Sequence, residues 1–141
     1  KQMLCQMEKQ GEGSILNVAS SAGLFPAGPY MATYYATKSY VTSLTRAVAL
    51  ELKEKKSNVY VGALCPGPVD TEFNKVANVE FAIPSITPTY CASYAIRKME
   101  KRKIVIVPKN KMKVLAFISR VLPQSLVIRM TARQQKKKRN W

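Results

Sequence analysis

A tyrosine and a lysine stand four residues apart in Tyr34-Tyr35-Ala36-Thr37-Lys38, and a serine pair, Ser20-Ser21, follows the apolar run Ser14-Ile15-Leu16-Asn17-Val18. A helix would bring the Tyr34 phenol and the Lys38 ammonium onto one face, one turn apart. A free phenol ionises only near about pH 10, so it is a poor base at neutral pH. A neighbouring ammonium favours the phenolate. Such a pair can move a proton to or from an alcohol or carbonyl oxygen. A serine hydroxyl nearby can hydrogen-bond that same oxygen and stabilise the charge that develops on it. This chemistry needs no histidine, and the chain has none.

Positioning these groups is the task of the surrounding elements. Residues 2–9 carry Met3, Leu4 and Met7 at helical spacing, and Gly11 and Gly13 follow as a stop. Residues 14–18 read as a short buried parallel strand, so the serines fall at its carboxyl end, where open α/β sheets place ligands. Residues 20–33 are rich in Gly, Pro and small side chains and read as a loop. From 34 to 53 the period turns helical, with Val41, Leu44, Val48 and Leu52 three and four apart. Residues 59–64 give a second strand, broken by Cys65-Pro66-Gly67-Pro68. Residues 72–87 have no clear period and read as a long loop or flap. A helix over 88–102, with Pro88 in its first turn, and a strand over 103–107 complete the pattern. This alternation predicts an α/β class with parallel strands and right-handed crossovers.

Composition narrows the choices. The chain has 141 residues, 47% of them hydrophobic, enough for one domain with a packed core. Its three cysteines, Cys5, Cys65 and Cys91, have no metal-type spacing, so no metal site is expected and free thiols in a reducing cytoplasm are. No apolar run is long enough for an ordinary transmembrane helix, and the first residues do not form a signal peptide. The net charge of +15 is uneven: residues 1–96 sum to +1 and residues 97–141 to +14.

The combined motifs resemble the carboxyl-terminal half of a short-chain dehydrogenase/reductase of the classical type, over nearly all of residues 2–108. Tyr34-x-x-x-Lys38 is similar to the family's Tyr-x-x-x-Lys, Asn17-Val18-Ala19-Ser20 to its catalytic-serine segment, and Pro66-Gly67-Pro68-Val69-Asp70-Thr71 to its cofactor segment. The resemblance implies an NAD(P)-dependent oxidoreductase, NAD or NADP unread, acting between a secondary alcohol and a ketone. It implies Tyr34 as acid/base, Lys38 on the nicotinamide ribose, and Ser20 on the substrate oxygen. Pro66 and Gly67 would pack at the nicotinamide, with the Val69 backbone and the Thr71 hydroxyl near its carboxamide. Ser20 keeps the strand register but lies one residue farther from Tyr34 than the family pattern. Ser21 restores that spacing and loses the register. Tyr35 is only three residues from Lys38 and does not fit. The fold implied is a partial Rossmann-like, doubly wound parallel sheet, its last three strands, over residues 1–108. A basic amphipathic extension follows over 109–141. Homodimerisation through the 34–53 helix is a further implication.

The family's glycine-rich nucleotide loop finds no counterpart in the sequence. The expectation is therefore a chain that lacks the nucleotide-binding half, binds dinucleotide weakly or not at all, and is incomplete as an enzyme alone. Strand 14–18 should show an unpaired edge. Phe73, Phe81, Ile83 and Ile86 suggest an apolar substrate pocket, or simply core.

Beyond Lys109, Val114, Leu115, Ile118, Val121 and Leu122 form one amphipathic segment. Leu126, Val127 and Met130 form another across Pro123, running into Lys136-Lys137-Lys138-Arg139. Two readings stand. These segments meet an anionic membrane surface, or they cap the sheet and line the substrate entrance, with 134–141 a solvated tail. A non-catalytic remnant that binds membrane through this arm is the alternative to the enzyme. Phe117 and Trp141 are the arm's only aromatics and no recognition motif appears, so nucleic acid is not an expected partner.

Overall fold

The apolar run Tyr60-Val61-Gly62-Ala63-Leu64 has a side chain to bury on both faces, and it forms the fully buried central strand, β2. β1, Ser14–Val18, lies parallel on one side of it, with Ser14 opposite Tyr60 and Val18 opposite Leu64. β3, Val105–Ile106, lies parallel on the other side, with Ala63 opposite Val105. The sheet order is β1-β2-β3. The computed structural model describes residues 2–72 and 84–139. Among these, five α-helices surround the sheet: α1 Gln2–Gln10, α2 Ala32–Glu54, α3 Pro88–Glu100, α4 Asn110–Val121 and α5 Gln124–Arg139. A 3-10 turn, Ser21–Leu24, joins β1 to the loop before α2.

Alternation along the strands assigns the two faces. Ile15 and Val61 pack with Leu52, Val59 and Val48 beneath α2. Leu16, Leu64 and Ile106 pack with Cys91 and Ala95 of α3 on the opposite face. Helices on both faces of a parallel sheet make the arrangement doubly wound, as the α/β reading requires. A third cluster sits at the carboxyl ends of the strands, where Ala19, Leu24, Ala63, Cys65 and Val107 meet Met112 and Ala116 of α4. Residues from the basic extension thus share a core with the sheet.

Several boundaries differ from the sequence reading, each for a local reason. α2 begins at Ala32 rather than Tyr34. Its buried face is Thr42, Thr45, Ala49 and Leu52, whereas Leu44 points outward. The two threonines can be buried because each hydroxyl donates back into the helix, Thr42 Oγ1 to the Lys38 carbonyl at 2.8 Å and Thr45 Oγ1 to the Val41 carbonyl at 2.7 Å. α3 ends at Glu100, not 102, because Arg102 takes a left-handed φ of 49° and the Lys103 N–H returns to the Lys98 carbonyl. β3 is two residues rather than five. Its ladder to β2 rests on two bonds, from the Ala63 N–H to the Ile104 carbonyl at 2.8 Å and from the Cys65 N–H to the Ile106 carbonyl at 2.7 Å, and β2 itself ends at Leu64.

The expected open edge is present: among the described residues no strand pairs with the outer side of β1, and Val18 is exposed. On its inner side β1 pairs along its whole length with β2, and α2 adds a tie from its face. Asn17 Nδ2 donates to Thr45 Oγ1 at 2.9 Å, and the 3-10 turn presses Gly23 against the same helix. A Cβ on Gly23 would fall 2.4 Å from the Lys38 carbonyl oxygen and 2.6 Å from Thr42 Oγ1. Backbone cannot yield as a flexible side chain can. Gly23→Ala is expected to destabilise the fold by about 1–3 kcal/mol, measured by urea denaturation. An unchanged unfolding midpoint would show that the turn and helix separate freely.

Candidate active site

Two strand ends and one helix start build the site. The Ala19 N–H bonds to the Leu64 carbonyl at 2.8 Å, and the Ser21 N–H to the Pro66 carbonyl at 2.8 Å. These bonds carry the β1–β2 pairing past the strands and set the serine pair beside the Pro66-Gly67 segment. Ser20 caps the 3-10 turn, its Oγ accepting from the Ala22 N–H at 3.2 Å. Ser20 is buried and Ser21 half-buried.

Lys38 reaches from α2 to the end of β1, where Nζ donates to the Val18 carbonyl at 3.2 Å. The same ammonium lies 5.8 Å from the centroid of the Tyr34 ring. The helical spacing therefore delivers the phenol and the ammonium to one place, and the strand end fixes the ammonium there. Tyr34 is half-buried, its ring edge-on to Tyr35 with centroids 6.4 Å apart.

The residues singled out for catalysis and for cofactor contact open onto one cavity of about 690 Å³: Ser20, Ser21, Tyr34 and Lys38 from the β1–α2 side, and Pro66, Gly67, Val69 and Thr71 from the segment after β2. The far wall is α4 and α5, through Met112, Leu115, Ile118, Val127, Met130 and Thr131 among others. Among the described residues Lys38 is the one charged side chain on the wall. An ammonium in mostly apolar surroundings favours a partner that brings negative charge or oxygen lone pairs. Cys91 also lines the cavity, and burial pushes its thiol above the ordinary range. Desolvation does the same to Cys65, so neither is a ready nucleophile. All three cysteines are free.

Phe73, Phe81 and Ile83 lie outside the described residues. Ile86 does not line the cavity: it pairs with Val69 in an isolated parallel bridge and packs on the Leu64–Ile106 cluster.

The family profile described as short chain dehydrogenase matches residues 1–80. The chain belongs to that family. Among curated proteins it is similar to D-beta-hydroxybutyrate dehydrogenase of Rhizobium meliloti (strain 1021), 46% identical over 65 residues, which cover 46% of this chain and 24% of that protein. It is similar also to dehydrogenase/reductase SDR family member 4 of Bos taurus, 35% identical over 101 residues, covering 72% of this chain and 34% of the relative. Among solved structures, a short-chain dehydrogenase from Sphingobium yanoikuyae in complex with NADPH superposes with a TM-score of 0.65 at 24% identity, over 83% of this chain and 47% of that one. The chain thus spans a quarter to a third of the length of the two curated relatives. Its three-stranded sheet is part of the Rossmann fold of the short-chain dehydrogenases.

The α4–α5 wall of the site in this family member agrees with the reading in which those segments line the substrate entrance, but it extends farther along α5 than that reading allows. In that reading 134–141 is a solvated tail, yet Gln134 and Gln135 line the cavity and Gln135 is buried. Gln135 Nε2 donates to Tyr35 Oη at 2.8 Å, joining α5 to α2 across a hundred residues. Tyr35 packs over Gly28, where a Cβ would fall 2.2 Å from its ring. Burial holds the Tyr35 phenol above its ordinary range, and the Gln135 bond partly offsets this. A second contact sits beside it: Lys136 Nζ lies 5.6 Å from the Tyr30 ring, on a residue with a φ of 68°. A signal was available. Val127, Thr131 and Gln135 are four apart, so two polar residues continue an apolar stripe.

A double-mutant cycle tests this latch. Gln135→Ala is expected to cost about 1 kcal/mol or somewhat more, since it strands the Tyr35 hydroxyl. Tyr35→Phe in the same background should then cost little. Additive losses in urea denaturation would mean that the bond does not hold α5.

Proposed function

We propose that these residues are the catalytic and substrate-facing part of an NAD(P)-dependent oxidoreductase that interconverts a secondary alcohol and a ketone. The observation that carries the reading is the meeting of Tyr34, Lys38 and the serine pair with the Pro66–Thr71 segment around one cavity. The residues present fit the nicotinamide end of a dinucleotide. The Lys38 ammonium suits ribose hydroxyls, and the Val69 backbone and Thr71 hydroxyl suit a carboxamide. Gly67 presents backbone rather than a side chain beside them.

When bound, the nicotinamide supplies or accepts the hydride. Tyr34 gives its phenolic proton to the carbonyl oxygen in reduction and takes it back in oxidation. Lys38 stabilises the phenolate that results. Ser20 or Ser21 donates a hydrogen bond to the same substrate oxygen. Ser20 is favoured by its buried, capped position, which leaves its hydroxyl little freedom. Leu115, Ile118 and Met130 give the cavity an apolar wall, which favours an apolar substrate.

No glycine-rich turn suited to a pyrophosphate occurs in the 141 residues. The chain alone is therefore inferred to hold a dinucleotide by its nicotinamide end. Titration of the ¹⁵N-labelled chain with nicotinamide mononucleotide and with NADPH tests this by amide chemical shifts. Both ligands are expected to perturb Ser21, Lys38, Gly67, Val69 and Thr71 with dissociation constants on the order of millimolar. Micromolar NADPH binding would overturn the half-site reading, and no perturbation at these residues would overturn the cofactor reading. Any ketone reduction the chain supports should fall about 10²-fold or more in Tyr34→Phe and persist in Tyr35→Phe.

A further inference from the structure

α4 is apolar on two opposite sides. Met112, Ala116 and Ser119 form its buried side. Val114, Phe117 and Val121, spaced three and four apart, form a stripe on the other, and they are 57%, 68% and 71% exposed. The described core does not use that stripe, because α4 meets the sheet through its other side. Leu126 and Met130 of α5, 45% and 55% exposed, lie across the Pro123 hinge.

Charge surrounds these side chains. From Lys101 to Trp141 the chain carries thirteen Lys/Arg and no Asp/Glu. Lys111, Lys113 and Arg120 lie on α4 itself, and Arg129, Arg133 and Lys136 on α5, all exposed. Leu115, Ile118 and Met130 line the cavity and are also exposed, so the cavity mouth opens next to this surface. No described helix is long and apolar enough to cross a membrane.

We propose that α4 and α5 form a peripheral docking surface for an anionic phospholipid bilayer, with Phe117 and Val121 entering the acyl boundary and the flanking Lys/Arg meeting the headgroups. Two observations select this occupant. An unbroken positive field repels a second copy of the same surface, whereas anionic lipid neutralises it. A polyanion without an apolar phase, such as nucleic acid, leaves Val114, Phe117 and Val121 unaccounted for. Docking in this pose sets the cavity mouth against the lipid.

Sedimentation with extruded vesicles tests the surface without any catalytic readout. The 141-residue chain is mixed with pure phosphatidylcholine vesicles and with vesicles containing phosphatidylglycerol, at about 0.1 M salt, where charge is screened beyond about 10 Å. Binding to the anionic vesicles alone is expected, weakening as salt rises. Phe117→Ser/Val121→Ser should lower the partition constant about tenfold or more, with an unchanged circular dichroism spectrum. Three results would overturn the proposal: no binding to anionic vesicles, equal binding to both vesicle types, or a double variant that partitions like the parent. Light scattering on the eluting peak gives the rival outcome. A dimer in the parent chain that the double variant abolishes would assign the stripe to a second copy instead.

Discussion

The site depends on how closely α2 lies against the end of β1. Gly23 makes the approach possible, since any side chain there would strike the Lys38 carbonyl. Thr42 and Thr45 sustain it by placing small, internally bonded side chains at the contact, and Asn17 ties the strand to Thr45. Only at that separation does Lys38 reach the Val18 carbonyl while staying near the Tyr34 ring. A leucine-faced helix would stand farther off, because interaxial distance follows the size of the side chains at the contact. The polar buried face of α2 is therefore part of how the ammonium is placed.

That same face explains where sequence reading succeeded and where it failed. β1 was legible to the residue, because five alternating positions between turn signals leave one register that buries Ile15 and Leu16 on opposite faces. The buried side of α2 was read correctly at Val41, Val48 and Leu52 but missed at its centre, because Leu44 counted as apolar and Thr42 and Thr45 did not. Hydropathy does not register a hydroxyl satisfied by its own helix. β3 was read too long for a different reason. Its pairing with β2 rests on two bonds only, from the Ala63 and Cys65 N–H groups, and an apolar run in one strand does not carry the length over which its partner stays beside it.

The candidate site was legible to a similar degree and with the same kind of gap. Tyr34, Lys38, the serine pair and Pro66–Thr71 lie on local motifs, and each motif carries its own geometry. The Gln135 contact on the opposing wall does not. Gln135 meets Tyr35 across a hundred residues, and no local pattern specifies which helix a buried glutamine will face. Burial of Gln135 beside a phenol is consistent with the general rule that polar groups enter a core in bonded pairs.

α4 and α5 are thus constrained from two directions. Their inner residues, Met112, Ala116, Val127 and Thr131, must complete the core and the cavity wall. Their outer residues are under no such demand, and for a helix resting in water selection would be indifferent or would favour polar side chains there. Val114, Phe117 and Val121 occupy that outer face at regular helical spacing, while every ionisable acid is missing from the same stretch. An apolar stripe alone could be a contact with any protein, and a run of cations alone could be a solvated face. Their coincidence on one pair of helices, beside the mouth of an apolar cavity, favours a surface that is both apolar and anionic.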